Sequence, residues 1–133
     1  MTARTSSDPA DVVRRILESW DEGRVDAALA LIHPDIEWHE PPEMPDQTIA
    51  HGREAALKAL QTWFATWASY ENELRDVQEA GQRVLVDFRQ RMAGAGSNIT
   101  VESDLFQVWT VRDGLAVRME MYTDRAQAMT ALG

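Results

Sequence analysis

Tryptophan is over-represented in this chain: five Trp stand against two Tyr and three Phe in 133 residues. Trp20, Trp38, Trp63, Trp67 and Trp109 fall on the expected inward faces of four different elements. Core packing is the ordinary fate of buried indole. Each buried indole N–H also needs an acceptor, however, and the apolar neighbours here offer few. Converging with Phe64, Phe88, Met119, Met121 and the polar Gln90, Gln107 and Glu40, they describe an aromatic pocket with sparse polar anchors. That is the composition of a small-molecule site. The expected ligand-binding set is Trp38, Trp63, Trp67, Phe88, Gln90, Gln107, Trp109, Met119 and Met121.

Other chemistry finds less support. Glu37 and His39 lie at i, i+2 on one strand face and could form one edge of a metal site. That face points away from the pocket, and His33, His39 and His51 form no His-x-x-x-His pair, so no metal is expected. Arg53, beside Gly52 at a helix start, could bind a ligand carboxylate; a salt bridge across the fold or a dimer is the plainer use. Ser97, Ser103 and the threonines lack a histidine at a suggestive spacing, which leaves nucleophilic catalysis without its base. The absence of cysteine excludes disulfides, thiolate nucleophiles and iron–sulfur clusters. A net charge of −9 argues against nucleic acid as a partner. No cofactor is implied.

The elements that must position these residues follow from periodicity. Asp8-Pro9 reads as an N-cap and first helical residue, and Val13, Ile16, Leu17 and Trp20 recur on one helical face up to Gly23. Val25, Ala28, Leu29 and Ile32 predict a second short helix ended by His33-Pro34. Ile36, Trp38 and Glu40 alternate with Asp35, Glu37 and His39 in a strand, which Pro41, Pro42 and Pro45 break into a loop reaching Ala50. A third helix is expected from Gly52 to about Ala68, burying Leu57, Leu60, Trp63, Phe64 and Trp67.

Strands then follow one another. Tyr70 to Glu79 alternates weakly, as an edge strand. In Gln82 to Met92 one face carries Val84, Val86, Phe88, Gln90 and Met92, and the other Leu85, Asp87, Arg89 and Arg91. Gly94-Ala95-Gly96-Ser97 turns into Ile99 to Val111, and Asp113-Gly114 turns into Leu115 to Thr123. Asp124 caps a short terminal helix. Helices segregated from hairpins predict an α+β domain over 8–131, preceded by a short polar tail at 1–7. That tail lacks the apolar core of a secretory signal, and no run approaches the roughly 18 apolar residues of a membrane span. A cytoplasmic location and no membrane partner are the resulting expectations.

From about Asp11 to Ala128 this pattern resembles the nuclear transport factor 2-like superfamily, in its SnoaL-like branch. Four stretches carry the likeness: Glu22-Gly23-Arg24, Asp35-Ile36-Glu37-Trp38-His39, His51-Gly52-Arg53-Glu54 and Val108-Trp109-Thr110-Val111-Arg112-Asp113-Gly114. The resemblance implies a cone: a curved antiparallel sheet with helices packed on its concave face, around a pocket. It spans isomerases, cyclases, epoxide hydrolases, dehydratases and pure binding proteins, so fold alone does not choose a function.

Carried over residue by residue, the resemblance makes Glu40, just before Pro41, the candidate general base of the isomerase type. A carboxyl group held against an indole and out of water is more basic than usual, which suits proton abstraction near neutrality. The other reading of Glu40 is a solvent-facing carboxylate at the start of a loop. Ile16 replaces the isomerases' tyrosine donor, Gln107 stands near their protonated acid, and Met121 falls where the cyclases hold an aspartate. Asp87 and Arg89 fall on the face away from the pocket, which removes an epoxide-hydrolase arrangement.

Two functions remain open. One is binding of a small hydrophobic, cyclic molecule, with cofactor-free acid/base catalysis using Glu40 as base and Gln90 and Gln107 as orienters. The other is a non-catalytic ligand-binding or dimerisation module. The mixed face carrying Leu85, Asp87, Arg89 and Arg91 suits either a homodimer contact or solvent, and the homodimer is the expectation.

Overall fold

The computed structural model describes residues 8–40, 49–65, 67–94 and 99–133, except the side chains of 63–65, 67, 68 and 70. In chain order the elements are α1 (Pro9–Asp21), α2 (Val25–Leu29), β1 (Ile32–His39), β2 (Ile49–His51), α3 (Arg53–Ala65), β3 (Trp67–Ala80), β4 (Arg83–Gly94), β5 (Thr100–Arg112), β6 (Leu115–Tyr122) and α4 (Arg125–Leu132). The α+β class and the curved, unclosed sheet agree with the sequence.

The strands lie in the order β2-β1-β6-β5-β4-β3. All neighbours are antiparallel except β1 and β6, which run parallel. Asp113 and Gly114 both take positive φ, 52° and 78°, the left-handed pair that a two-residue hairpin requires. Register shifts between Leu74 and Asp76 and between Thr110 and Val111 mark bulges, which bend and twist the sheet into its curve.

One continuous cross-strand row anchors the concave face: Ala50, Trp38, Met119, Trp109 and Val84 stand side by side on β2, β1, β6, β5 and β4. Trp38, Met119, Trp109 and Val84 are all buried. Val12, Val13 and Ile16 of α1 pack against this row. Each such side chain contributes roughly 1.5–3 kcal/mol when fully removed from water.

Three boundaries and the placement of one helix differ from the sequence reading. Ile32, expected in the second helix, opens β1, so that His33-Pro34 lies within a strand. Ile49–His51, expected in a loop, pairs with β1 as β2. The third helix ends at Ala65, and Trp67 begins β3 opposite Gly94 instead of closing the helix. Finally, α4 packs on the convex face, where Ala128 and Leu132 cover Leu85, Phe106 and Val108. Among the described residues, the helices on the concave side are α1 to α3. Arg83 ties α4 down through the Ala131 carbonyl at 2.7 Å, and Asp124 caps it by accepting from the Ala126 N–H at 3.3 Å.

Candidate functional site

Between α1, α3 and the concave face lies a cavity of about 710 Å³. Its walls follow the sheet register. Beyond the Trp38–Trp109 row comes Met121, Gln107 and Val86, then Leu105, Phe88 and Leu74, then Ser103, Gln90 and Asn72. All these side chains line the cavity. Hydrophobic layers thus alternate with two polar stations. Gln107 and Ser103 are four residues apart on β5, a strand length of roughly 13 Å.

The two glutamines are built differently. The Trp109 indole N–H donates to Gln107 Oε1 at 3.0 Å within the buried wall. Gln90 Nε2 donates to Asn72 Oδ1 at 2.9 Å, while Gln90 Oε1 is buried with no partner among the described residues. An unmet buried acceptor of this kind costs about 1–3 kcal/mol.

The candidate base Glu40, half-buried two residues beyond Trp38, lines the same cavity. Continuing the β1–β6 register places it in the row of Met121 and Gln107, roughly 10 Å from the latter by strand spacing. Of the other expected ligand-binding residues, Trp38, Phe88, Gln90, Gln107, Trp109 and Met121 line the cavity together. Met119 does not. It is fully buried in the row between Trp38 and Trp109 and supports the wall from within the core. The side chains of Trp63, Phe64 and Trp67 lie outside the described residues, as do Pro41, Pro42, Pro45 and Ser97.

Arg53 lines the cavity, and its Nη1 donates to the carbonyls of Leu29 and Ile32, at 3.2 and 3.4 Å; among the described residues it forms no salt bridge. It binds the end of α2 to the start of β1. Gly52, at φ 94°, makes the turn into α3 and donates its N–H to Ile36 at 2.8 Å. On the opposite side of β1, His39 Nε2 and Glu37 Oε1 are 3.1 Å apart, and that hydrogen bond is the main reason Glu37 is more acidic than usual. His51 stands opposite Glu37 in the register. Among the described residues no three His, Asp or Glu side chains form a metal-binding group. Asp87 and Arg89 face the convex side, with Asp87 bound to Arg125 at 3.1 Å and Arg89 to Asp104 at 2.9 Å.

Sequence reasoning did not single out Arg14, Glu18 and Asp21, which bring charge to the cavity from α1. Their i, i+4, i+7 spacing alongside the apolar stripe was the available signal. Burial makes the Asp21 carboxyl a weaker acid than usual. Asn72 and Leu74 of the edge strand were missed because the bulge between Leu74 and Asp76 interrupts the alternation that would have faced them inward.

A cone with an apolar cavity behind α1 and α3 defines a class of proteins, and the comparisons give the family. Residues 13–119 match the family model described as the SnoaL-like domain. The chain therefore belongs to the SnoaL-like family of the nuclear transport factor 2-like superfamily. Among solved structures it is similar to such a protein from Burkholderia thailandensis, at 26% identity and TM-score 0.79, covering 91% of this chain and 96% of that one. It is similar to TerC, co-crystallised with polyporic acid, at 24% identity and TM-score 0.76, covering 94% and 98%. A candidate SnoaL-like polyketide cyclase from a Jannaschia species gives 21% identity and TM-score 0.75, covering 99% and 97%. No curated protein matches this chain.

Proposed function

We propose that this protein binds a small hydrophobic, cyclic molecule in the cavity between α1, α3 and the sheet. The observation that carries this reading is the cavity of about 710 Å³, whose wall is mostly apolar, with polar side chains on the sheet and charged ones at α1, Glu40 and Arg53. Such a site takes its affinity from apolar burial and its orientation from those groups. The volume lies within the usual 300–1,000 Å³ of small-molecule sites.

Within this reading Glu40 is the base of a cofactor-free proton transfer, and Gln107 and Gln90 orient the guest. Support comes from Glu40 sharing the cavity with Trp38 and Gln107. Ile16 and Met121 also line it and neither can move a proton, so the step proposed is abstraction by one carboxylate with amide assistance. The second reading, a non-catalytic binding protein, shares the cavity and lacks the turnover.

Native mass spectrometry of the protein purified from its own host tests binding, with one non-covalently held small molecule expected. Recovery of the bare chain, together with no heat-stability gain from any apolar cyclic compound, would contradict it. Incubating the recovered molecule with the wild type and Glu40→Gln then separates the readings. Chemical change by the wild type only, with binding kept in both, supports catalysis. Return of the molecule unchanged by the wild type supports binding alone.

A further inference from the structure

The hydrogen bond between Trp109 and Gln107 constrains what the cavity accepts. A glutamine amide offers a carbonyl acceptor at one end and an NH₂ donor at the other, and a freely rotating amide can serve either kind of guest. Indole is donor-only, so an indole N–H at 3.0 Å selects the carbonyl end. Reversing the amide would set an NH₂ against the indole N–H, two donors with no acceptor between them. Gln107 is 7% exposed and Trp109 2%, so water is poorly placed to relieve that clash. The end of Gln107 left for the cavity is therefore its NH₂.

We propose that Trp109 is a positioning residue that fixes Gln107 as a hydrogen-bond donor, and that the cavity thereby selects cyclic ligands carrying an acceptor oxygen such as a ketone or quinone carbonyl. This inference rests on the ligand-binding reading of the cavity. It adds the polarity of the guest's functional group, and it assigns that choice to a residue without any ionisable group. The neighbouring surfaces suit a flat ring system, since Val86, Phe88 and Leu105 continue the wall beyond Gln107 without a polar atom in their side chains.

Three tricyclic probes of nearly one shape test it: fluorenone, with an acceptor only, carbazole, with a donor only, and fluorene, with neither. Binding is followed by isothermal titration calorimetry on the intact chain. The wild type is expected to bind fluorenone about tenfold tighter than fluorene, the worth of one buried hydrogen bond, and carbazole no tighter than fluorene. Gln107→Glu retains an oxygen for the indole N–H and presents a second oxygen to the cavity, so it should reverse the order and favour carbazole over fluorenone. Trp109→Phe frees the amide to turn, and should shrink the fluorenone-to-carbazole preference to about twofold, read as a ratio so that any loss of wall area common to the three probes cancels; a merely structural role would weaken all three alike and leave the ratio unchanged. Where Trp109→Phe does not fold, Gln107→Glu carries the test alone. Equal affinity of the wild type for fluorenone and fluorene, or full fluorenone preference in Trp109→Phe, would overturn the inference while leaving the cavity reading intact. If none of the three binds the wild type, the cavity reading fails and this inference fails with it.

Discussion

Trp38 and Trp109 meet edge to face, with ring centroids 5.9 Å apart and planes at 85°. They belong to neighbouring positions of one cross-strand row, separated only by Met119 on β6. The contact joins the parallel seam of the sheet to its antiparallel centre and forms part of the cavity wall. Trp38→Phe keeps an aromatic ring but shortens its reach, so it should cost about 1–3 kcal/mol through the lost contact and the space left behind. Urea unfolding of the two proteins measures the difference, and a loss below about 0.5 kcal/mol would show that the pair is not coupled to stability.

Gln90 makes the opposite prediction. Its Nε2 is bonded to Asn72 on an exposed edge strand, and its Oε1 is buried without a partner among the described residues. Gln90→Leu removes the unmet acceptor at the expense of one hydrogen bond, so the empty protein should gain about 1 kcal/mol. The same variant should bind polar cyclic guests less tightly if Gln90 orients them. Thermal melts with and without guest separate the two effects.

Tyr122 predicts an alkaline limb. Its hydroxyl donates to Glu120 Oε2 at 2.6 Å, and burial, then that hydrogen bond and the carboxylate charge, push its pKa up to about 12. A raised pKa favours the neutral phenol in the folded state. The associated stability is fully present below pH 10, the ordinary phenol value, and is lost as pH rises towards 12. Tyr122→Phe should flatten stability across that window, and phenolate absorbance should report the missing titration.

The assembly is a separate proposal. On the convex face beyond α4, Arg75 and Arg89 pair with Asp104, and Arg89 and Arg91 with Glu102. Such a mixed-charge ladder can meet its own copy across a two-fold axis, and we propose a homodimer there. Light scattering should then give twice the 15.0 kDa of the chain, and Arg89→Glu should return it to 15.0 kDa. A wild type at 15.0 kDa would contradict the proposal.

Much of this architecture was legible because local chemistry and tertiary structure agree. Val84, Val86, Phe88 and Gln90 alternate cleanly and face the cavity side, and Asp113-Gly114 makes the turn its residue types demand. The failures have physical causes. Trp67 continues the helical spacing of Leu57, Leu60, Trp63 and Phe64, and no local stop signal announces its pairing with Gly94. Ile32 likewise extends the period of α2 until β6 recruits it into a strand. The parallel pairing of β1 with β6 joins segments about eighty residues apart, which no window of periodicity contains. Leu85 and Val108 are buried on the convex side because α4 covers them, a contact set by the far end of the chain. For the site, the glutamines were legible as polar breaks in apolar faces. The bond that gives Gln107 its polarity depends on side-chain geometry that the sequence does not contain.

The central claim is that the cavity is a binding site, and filling it tests that claim most directly. Ala59 lies on α3 at the cavity, half-buried. Calorimetric titration of fluorenone into the wild type and Ala59→Trp, both confirmed as folded, should show binding to the first and its loss by at least about tenfold in the second. Equal binding to both proteins would contradict the account.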